Sequence, residues 1–202
     1  RRPMRRFAFL TLLLLSGCVT AQDTMTGVQA GPRHRFLTFA GYNSPVLMVS
    51  VNAPFHLTPR DVAERLATYA EGSVLGSDVS YTANPGAAKR NNYRIVARFD
   101  AEQAATATDA CRSAYQSVVA ARYADRTNLF MAFCDKGEPI AAAKISGPKL
   151  SGPSDPTLRE MVRQGMKAMF PDGAGGQAGS MGSIEVTPLP HFRLNPLDGI
   201  IN

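Results

Sequence analysis

Residues 93–99 constrain the fold more than any other stretch of this chain. Tyr93, Ile95, Ala97 and Phe99 fall on one side of a period-two pattern, with Arg94 and Arg98 on the other. That alternation marks a strand with one face buried and one face wet, so something must cover the apolar face. A second strand is read at 45–51, apolar on both sides and bounded by prolines. Residues 128–134 and 139–145 read as the arms of a β-hairpin around Asp135-Lys136-Gly137-Glu138. Helices are available as cover. Thr58 caps a helix with Pro59 in its first turn and Asp61 at the capping-box position, and Val62, Leu66 and Tyr69 line one face before Gly72 ends it. Asp100 is read as the cap of an alanine-rich helix to about Tyr123, with Ala104, Ala107, Cys111, Tyr115, Val118 and Val119 inward. Asp155 and Pro156 open a last helix with Leu158, Met161, Val162, Met166, Met169 and Phe170 on one stripe, stopped by Pro171. Residues 33–42, with His34, Phe36, Leu37 and Phe39 among basic neighbours, read as a first strand or a packed lead-in. Residues 76–92 read as a loop, with a turn at Asn84-Pro85-Gly86 and a solvated Lys89-Arg90-Asn91-Asn92. The order β-α-β-α-β-β-α predicts an α+β fold, a small, mostly antiparallel sheet with helices packed on one face.

The N-terminus follows a different logic. Arg5 and Arg6 precede an apolar run at 7–15 that is far short of the roughly 20 residues needed to span a bilayer. Its length suits the hydrophobic region of a secretory signal, and Met4 is the expected start. The arginine pair lacks the flanking residues of a twin-arginine signal, so general secretion is expected. The run ends in Leu15-Ser16-Gly17-Cys18, which resembles the lipobox of bacterial lipoproteins. That resemblance implies cleavage before Cys18, a diacylglyceryl group on its thiol and an N-acyl (palmitate-type) chain on its freed amine. Two or more chains anchor a protein stably. Val19, rather than aspartate, in the second position implies an outer-membrane address, with the domain facing the periplasm.

Loss of residues 1–17 leaves 185 residues and removes Arg1, Arg2, Arg5 and Arg6, lowering the formal charge from +6 to +2. No basic stripe remains, so nucleic-acid binding is not expected. Two cysteines also remain, Cys111 and Cys134. In an oxidising compartment an even pair reads as a disulfide. A redox couple would call for Cys-x-x-Cys and a zinc site for four closely spaced ligands, and neither spacing is present. Residues 90–171 also resemble a group of uncharacterised proteobacterial periplasmic and lipoprotein sequences. There a helix cysteine is followed by an Ala-Phe-Cys strand, here Ala132-Phe133-Cys134, then a hairpin and a closing helix. The resemblance implies the Cys111–Cys134 disulfide and brings no catalytic residues.

Chemistry-bearing motifs are sparse. His34, His56 and His191 have no metal-ligand spacing, and there is no nucleophile elbow, P-loop or zincin pattern. The glycines at 173, 175, 176 and 179 follow a helix rather than a strand and read as linker. Asp61 and Glu64 read as a cap and a solvated side chain rather than an acid pair. The methionine stripe at 161–169 reads as core in preference to an adaptable groove. The expected organisation is a signal peptide at 1–17, a flexible tether at 18–32, one α+β periplasmic domain at 33–171 and a Gly/Pro-rich tail at 172–202. The expected function is that of a lipid-anchored, non-enzymatic accessory or partner-binding component of an envelope assembly. No catalytic or metal residues are assigned, and no cofactor beyond the covalent lipid on Cys18. The other reading is a periplasmic small-ligand or peptidoglycan-binding or hydrolytic domain, with 81–92 and His56 as its patch.

Overall fold

The computed structural model describes residues 18–25, 27–99, 105–114 and 125–172. Its centre is a six-stranded mixed sheet built from β1 (Thr20–Asp23), β2 (Val46–Val51), β3 (Tyr81–Thr82), β4 (Tyr93–Phe99), β5 (Arg126–Asp135) and β6 (Glu138–Pro148). The strand order is β1-β6-β5-β4-β2-β3. Pairing is antiparallel from β1 through β4, and parallel where β2 meets β4 and β3. The helices are α1 (Ala30–Gly41), α2 (Pro59–Ala70), α3 (Ala107–Ser113) and α4 (Pro156–Met169). The class is α+β, as the sequence patterns indicate.

The hairpin forms where the turn residues lie. Asp135 pairs with Glu138, and Lys136 takes a left-handed φ of 54° at the tip. A register shift at Phe133/Cys134 leaves Ile140 of β6 as the extra residue of a bulge, and Ile140 and Ala141 both pack with the main core. Thr58 caps α2 by accepting from the Asp61 amide, and Asp155 caps α4 by accepting from the Thr157 amide. Each is followed by proline in the first turn, where a missing N–H costs nothing.

Most of the core lies on one face of the sheet. Ile95, Ala97 and Phe99 of β4, Leu129, Met131 and Phe133 of β5, and Ala141, Ala143 and Ile145 of β6 pack there with α1, α2 and α4. Met161, Met166 and Met169 are fully buried in this layer, so the methionine stripe is core. The other face carries a smaller cluster, Val96, Phe130, Ala132, Cys134 and Ala142, covered by Ala110 and Cys111 of α3. Helices therefore lie on both faces, three on one and α3 on the other. Arg94 and Arg98, expected on a wet face, are buried at 8% and 6% exposure, because α3 covers the side on which they stand.

Three further differences concern short elements. Residues 18–32, read as a tether, contain β1 and the start of α1. Thr-Ala-Gln-Asp has little strand propensity of its own, but the free edge of β6 supplies the partner, and context decides strand formation. Residues 33–41, read as strand or lead-in, are helical within α1, with Tyr42 as its C-cap. The helix buries Arg33 with Leu37 and Ala40 while Phe36 and Phe39 stand exposed, so a charged residue begins its buried stripe and two large aromatics lie outside it. The loop at 76–92 includes β3. In α3 the observed cap is Thr106, in a reciprocal capping box with Asp109. Asp100, Ala104, Tyr115, Val118, Val119 and the tail from 173 lie outside the described residues.

Candidate functional site

The strands define two ends of the molecule. At one end β1 starts, β5 starts (Arg126), β6 finishes (Pro148), and β2 and β4 finish at Val51 and Phe99. At the other end are the hairpin tip and the beginnings of β2 and β4. Cys18 and the exposed aromatic face of α1 lie at opposite ends.

Cys18 is exposed and its thiol is free. The reason for its position is local. Thr20 pairs with Ser146 and Ala21 with Ile145, so the sheet ladder begins two residues after Cys18. Val19 packs against the main core, and its side chain lies 3.5 Å from where a Cβ on Gly147 would stand. At the other end of β1, Arg33 holds the strand in place. The guanidinium, 2% exposed, donates to Asp23 Oδ2 at 2.7 Å and to the carbonyls of Met25 at 2.6 Å, Val28 at 2.8 Å and Met169 at 3.3 Å. One buried side chain thus ties β1, the connection to α1, α1 itself and the end of α4. At the same end of the sheet, with β6 between β1 and β5, stand the exposed cations Arg126 and Lys149 and the exposed carboxylate Asp125. Arg126 pairs with Pro148 in the ladder, and its Nε donates to Ser146 Oγ at 3.1 Å.

Cys111 and Cys134 are bonded, with Cα atoms 5.8 Å apart and both residues fully buried. The bond fastens α3 to the second face of the sheet. It closes a loop spanning 23 positions.

At the far end α1 lies across the sheet. Phe39 is 50% exposed, and Phe36 and Tyr42 are also exposed. The Phe39 ring meets Tyr93 edge-on at 5.8 Å, and the Arg90 guanidinium stacks over it at 4.6 Å. Arg90 also donates to the Tyr42 carbonyl at 2.8 Å, so it is a packed side chain rather than a solvated one. Burial, followed by the charge of the neighbouring Asp135 carboxylate, pushes the Tyr93 phenol above its ordinary pKa. Asn92 Nδ2 donates to the same Asp135 at 2.9 Å.

The polar residues singled out from sequence are engaged in structure. Asp61 accepts from the Thr58 hydroxyl at 2.7 Å and Glu64 from Arg60 Nε at 3.4 Å. His34 Nε2 donates to the Pro171 carbonyl at 3.2 Å and lies edge-on to Phe170. His56 is exposed beyond the finish of β2. The segment 81–92 is fastened near the start of β2, where Tyr81 pairs with Val46 and Ser44 Oγ accepts from the Lys89 amide at 2.7 Å and donates to Ala87 O at 3.3 Å. The length of β2 separates the two, so His56 and 81–92 do not form one patch. His191 and the Gly-rich segment lie outside the described residues. Among the described residues no three His, Cys, Asp or Glu side chains gather as metal ligands, and no helix is long and apolar enough to cross a membrane.

The chain matches no family model, no curated protein and no solved structure.

Sequence reasoning missed Arg33 and the α1 face. Arg33 carried no usable signal, since an isolated arginine in a polar stretch is ordinarily a surface residue. The α1 face was visible as four apolar residues among bases, but their orientation depends on Arg33 being the buried one.

Proposed function

We propose that this chain is a lipid-anchored envelope protein, acylated at Cys18 and without enzymatic activity of its own. On this reading its α+β domain serves an envelope assembly by binding a partner protein, with the outer membrane as its address and the periplasm as its compartment. The observation that carries the reading is the placement of Cys18. The last residue of the Leu15-Ser16-Gly17-Cys18 motif is exposed, two positions ahead of the sheet ladder that begins at Thr20, so its thiol is accessible to an acylating enzyme. A buried disulfide also suits an oxidising compartment. The exposed aromatics of α1, at the end opposite Cys18, form the candidate partner face.

The test is the mass of the N-terminal peptide from the membrane fraction, together with fractionation of Cys18→Ala. The reading requires a chain beginning at Cys18 with diacylglyceryl and N-acyl masses, and release of the variant from the membrane. An unmodified Cys18, or a variant that sediments as the parent does, would refute it.

A further inference from the structure

We infer that the end of the sheet beside Cys18 rests directly on the bilayer headgroups, and that Arg126 and Lys149 are its lipid-facing cations. This rests on the proposed acylation of Cys18 and adds to it an orientation and a contact surface. A lipid anchor usually leaves orientation free, because a flexible tether of n residues has an end-to-end distance of about 5–6 Å × √n. Here there is no such tether. Thr20, whose Cα is in register with Ser146, is two positions on from Cys18, and two positions reach at most about 7 Å. Val19, the one residue between them, is itself packed on the core.

The restriction reaches well into the domain. β1 is fixed along its edge by β6 and at its far end by the half-buried Arg33–Asp23 pair. Movement about the anchor is therefore confined to Cys18 and its own thioether link, a lever far shorter than a flexible tether. Carrying the β1–β6 register back two residues brings Cys18 level with Pro148, whose neighbours are Arg126 across the ladder and Lys149 along the chain. Both cations are exposed, and such side chains beside an anionic leaflet are attracted over about one Debye length. The hairpin tip at Lys136 lies at the opposite end of β5, a ten-residue strand, and is held roughly 30 Å further out. The aromatic face of α1 is carried outward with it.

The orientation can be read with acylated full-length protein in vesicles of phosphatidylethanolamine and phosphatidylglycerol. Lys149→Cys and Lys136→Cys each give one labelling site, since Cys18 is blocked by lipid and Cys111 and Cys134 are paired. Quenching of an attached fluorophore by nitroxide-headgroup lipid is expected to be several-fold stronger at position 149 than at 136. A flexible Gly-Ser spacer inserted between Cys18 and Val19 should erase the difference while leaving the chain bound. Equal quenching at the two positions in vesicle-bound, unspaced protein overturns the orientation and leaves the anchor standing. A chain that does not sediment with vesicles overturns the anchor itself.

Discussion

Arg33 offers the sharpest test of how this fold holds its N-terminus. The substitution of choice is Arg33→Met, which keeps the aliphatic stem and removes the guanidinium. Four bonds go with it, to Asp23 and to the carbonyls of Met25, Val28 and Met169. A hydrogen bond to a charged group contributes about 1.5–3 kcal/mol, but these four share one donor and do not add. The Asp23 arm is worth the least, because Asp23 is 35% exposed and water replaces the lost partner. An ion pair exposed on one side contributes no more than about 1 kcal/mol, and Asp23→Asn should cost about that. The buried Met169 carbonyl has no such replacement, and breaking a buried charged network typically costs about 3–5 kcal/mol. Taking the lower part of that range for the water access at Asp23, Arg33→Met should destabilise by about 3 kcal/mol. Arg33→Lys should recover only part of the loss, since an ammonium cannot serve several carbonyls from a planar fork. Urea unfolding gives the magnitude, and amide exchange gives the location. The amides of β1 should exchange faster in the variant, with β4 and β5 much less affected. A loss under about 1 kcal/mol, or unchanged protection across Thr20–Asp23, would show that β1 is held by the β6 ladder alone.

Three other outcomes are expected. Replacing Cys111 and Cys134 together by Ala should cost about 3 kcal/mol in the chain-entropy account, read from the urea midpoint; two titratable thiols in untreated protein, beyond Cys18, would contradict the bond. Hydrogen bonds from Ser151 and Thr157 hold the Asp155 carboxyl down to about 2 from 3.8. Its contribution is therefore complete above pH 3.8 and lost as pH falls through about 2. Asp155→Asn should flatten the acid limb of stability in that window, and identical limbs would refute the assignment. Finally, a Cβ on Gly41 would stand 2.6 Å and 2.7 Å from the two methyls of Val79, a branched side chain with no flexible end to move aside. Gly41→Ala should cost about 1–3 kcal/mol and be relieved by Val79→Ala in the double variant; additive losses would place the strain elsewhere.

The sequence was legible where a single residue type settles the local structure. Thr58-Pro59 and Asp155-Pro156 fixed two helix starts to the residue, and the Asp135–Glu138 turn fixed the hairpin. The alternation at 93–99 fixed one buried face but said nothing reliable about the other. Arginines at period two usually mean water, and only the placement of α3, a long-range event, makes Arg94 and Arg98 interior. β1 was illegible because a polar four-residue strand is specified by the edge it joins. α1 was illegible because its buried stripe begins with an arginine. The two cysteines indicated their own pairing, although they left open which face of the sheet α3 would occupy. The Cys18 motif was plain in the chain, but the lack of slack behind it became visible only with the fold.

That lack of slack has a consequence in time. β1 is the first strand to be synthesised and its partner, β6, nearly the last, with 126 positions between Thr20 and Ser146. At translation rates of about 5–20 residues per second, roughly 6–25 s pass before the partner edge exists. Throughout that interval Thr20–Asp23 has no edge to pair with. Once β6 arrives, the ladder closes from Thr20↔Ser146 to Asp23↔Ala143 and leaves Cys18 exposed ahead of it. The N-terminal strand is thus fixed late, and the Arg33–Asp23 pair at its far end is set only when that closure is made.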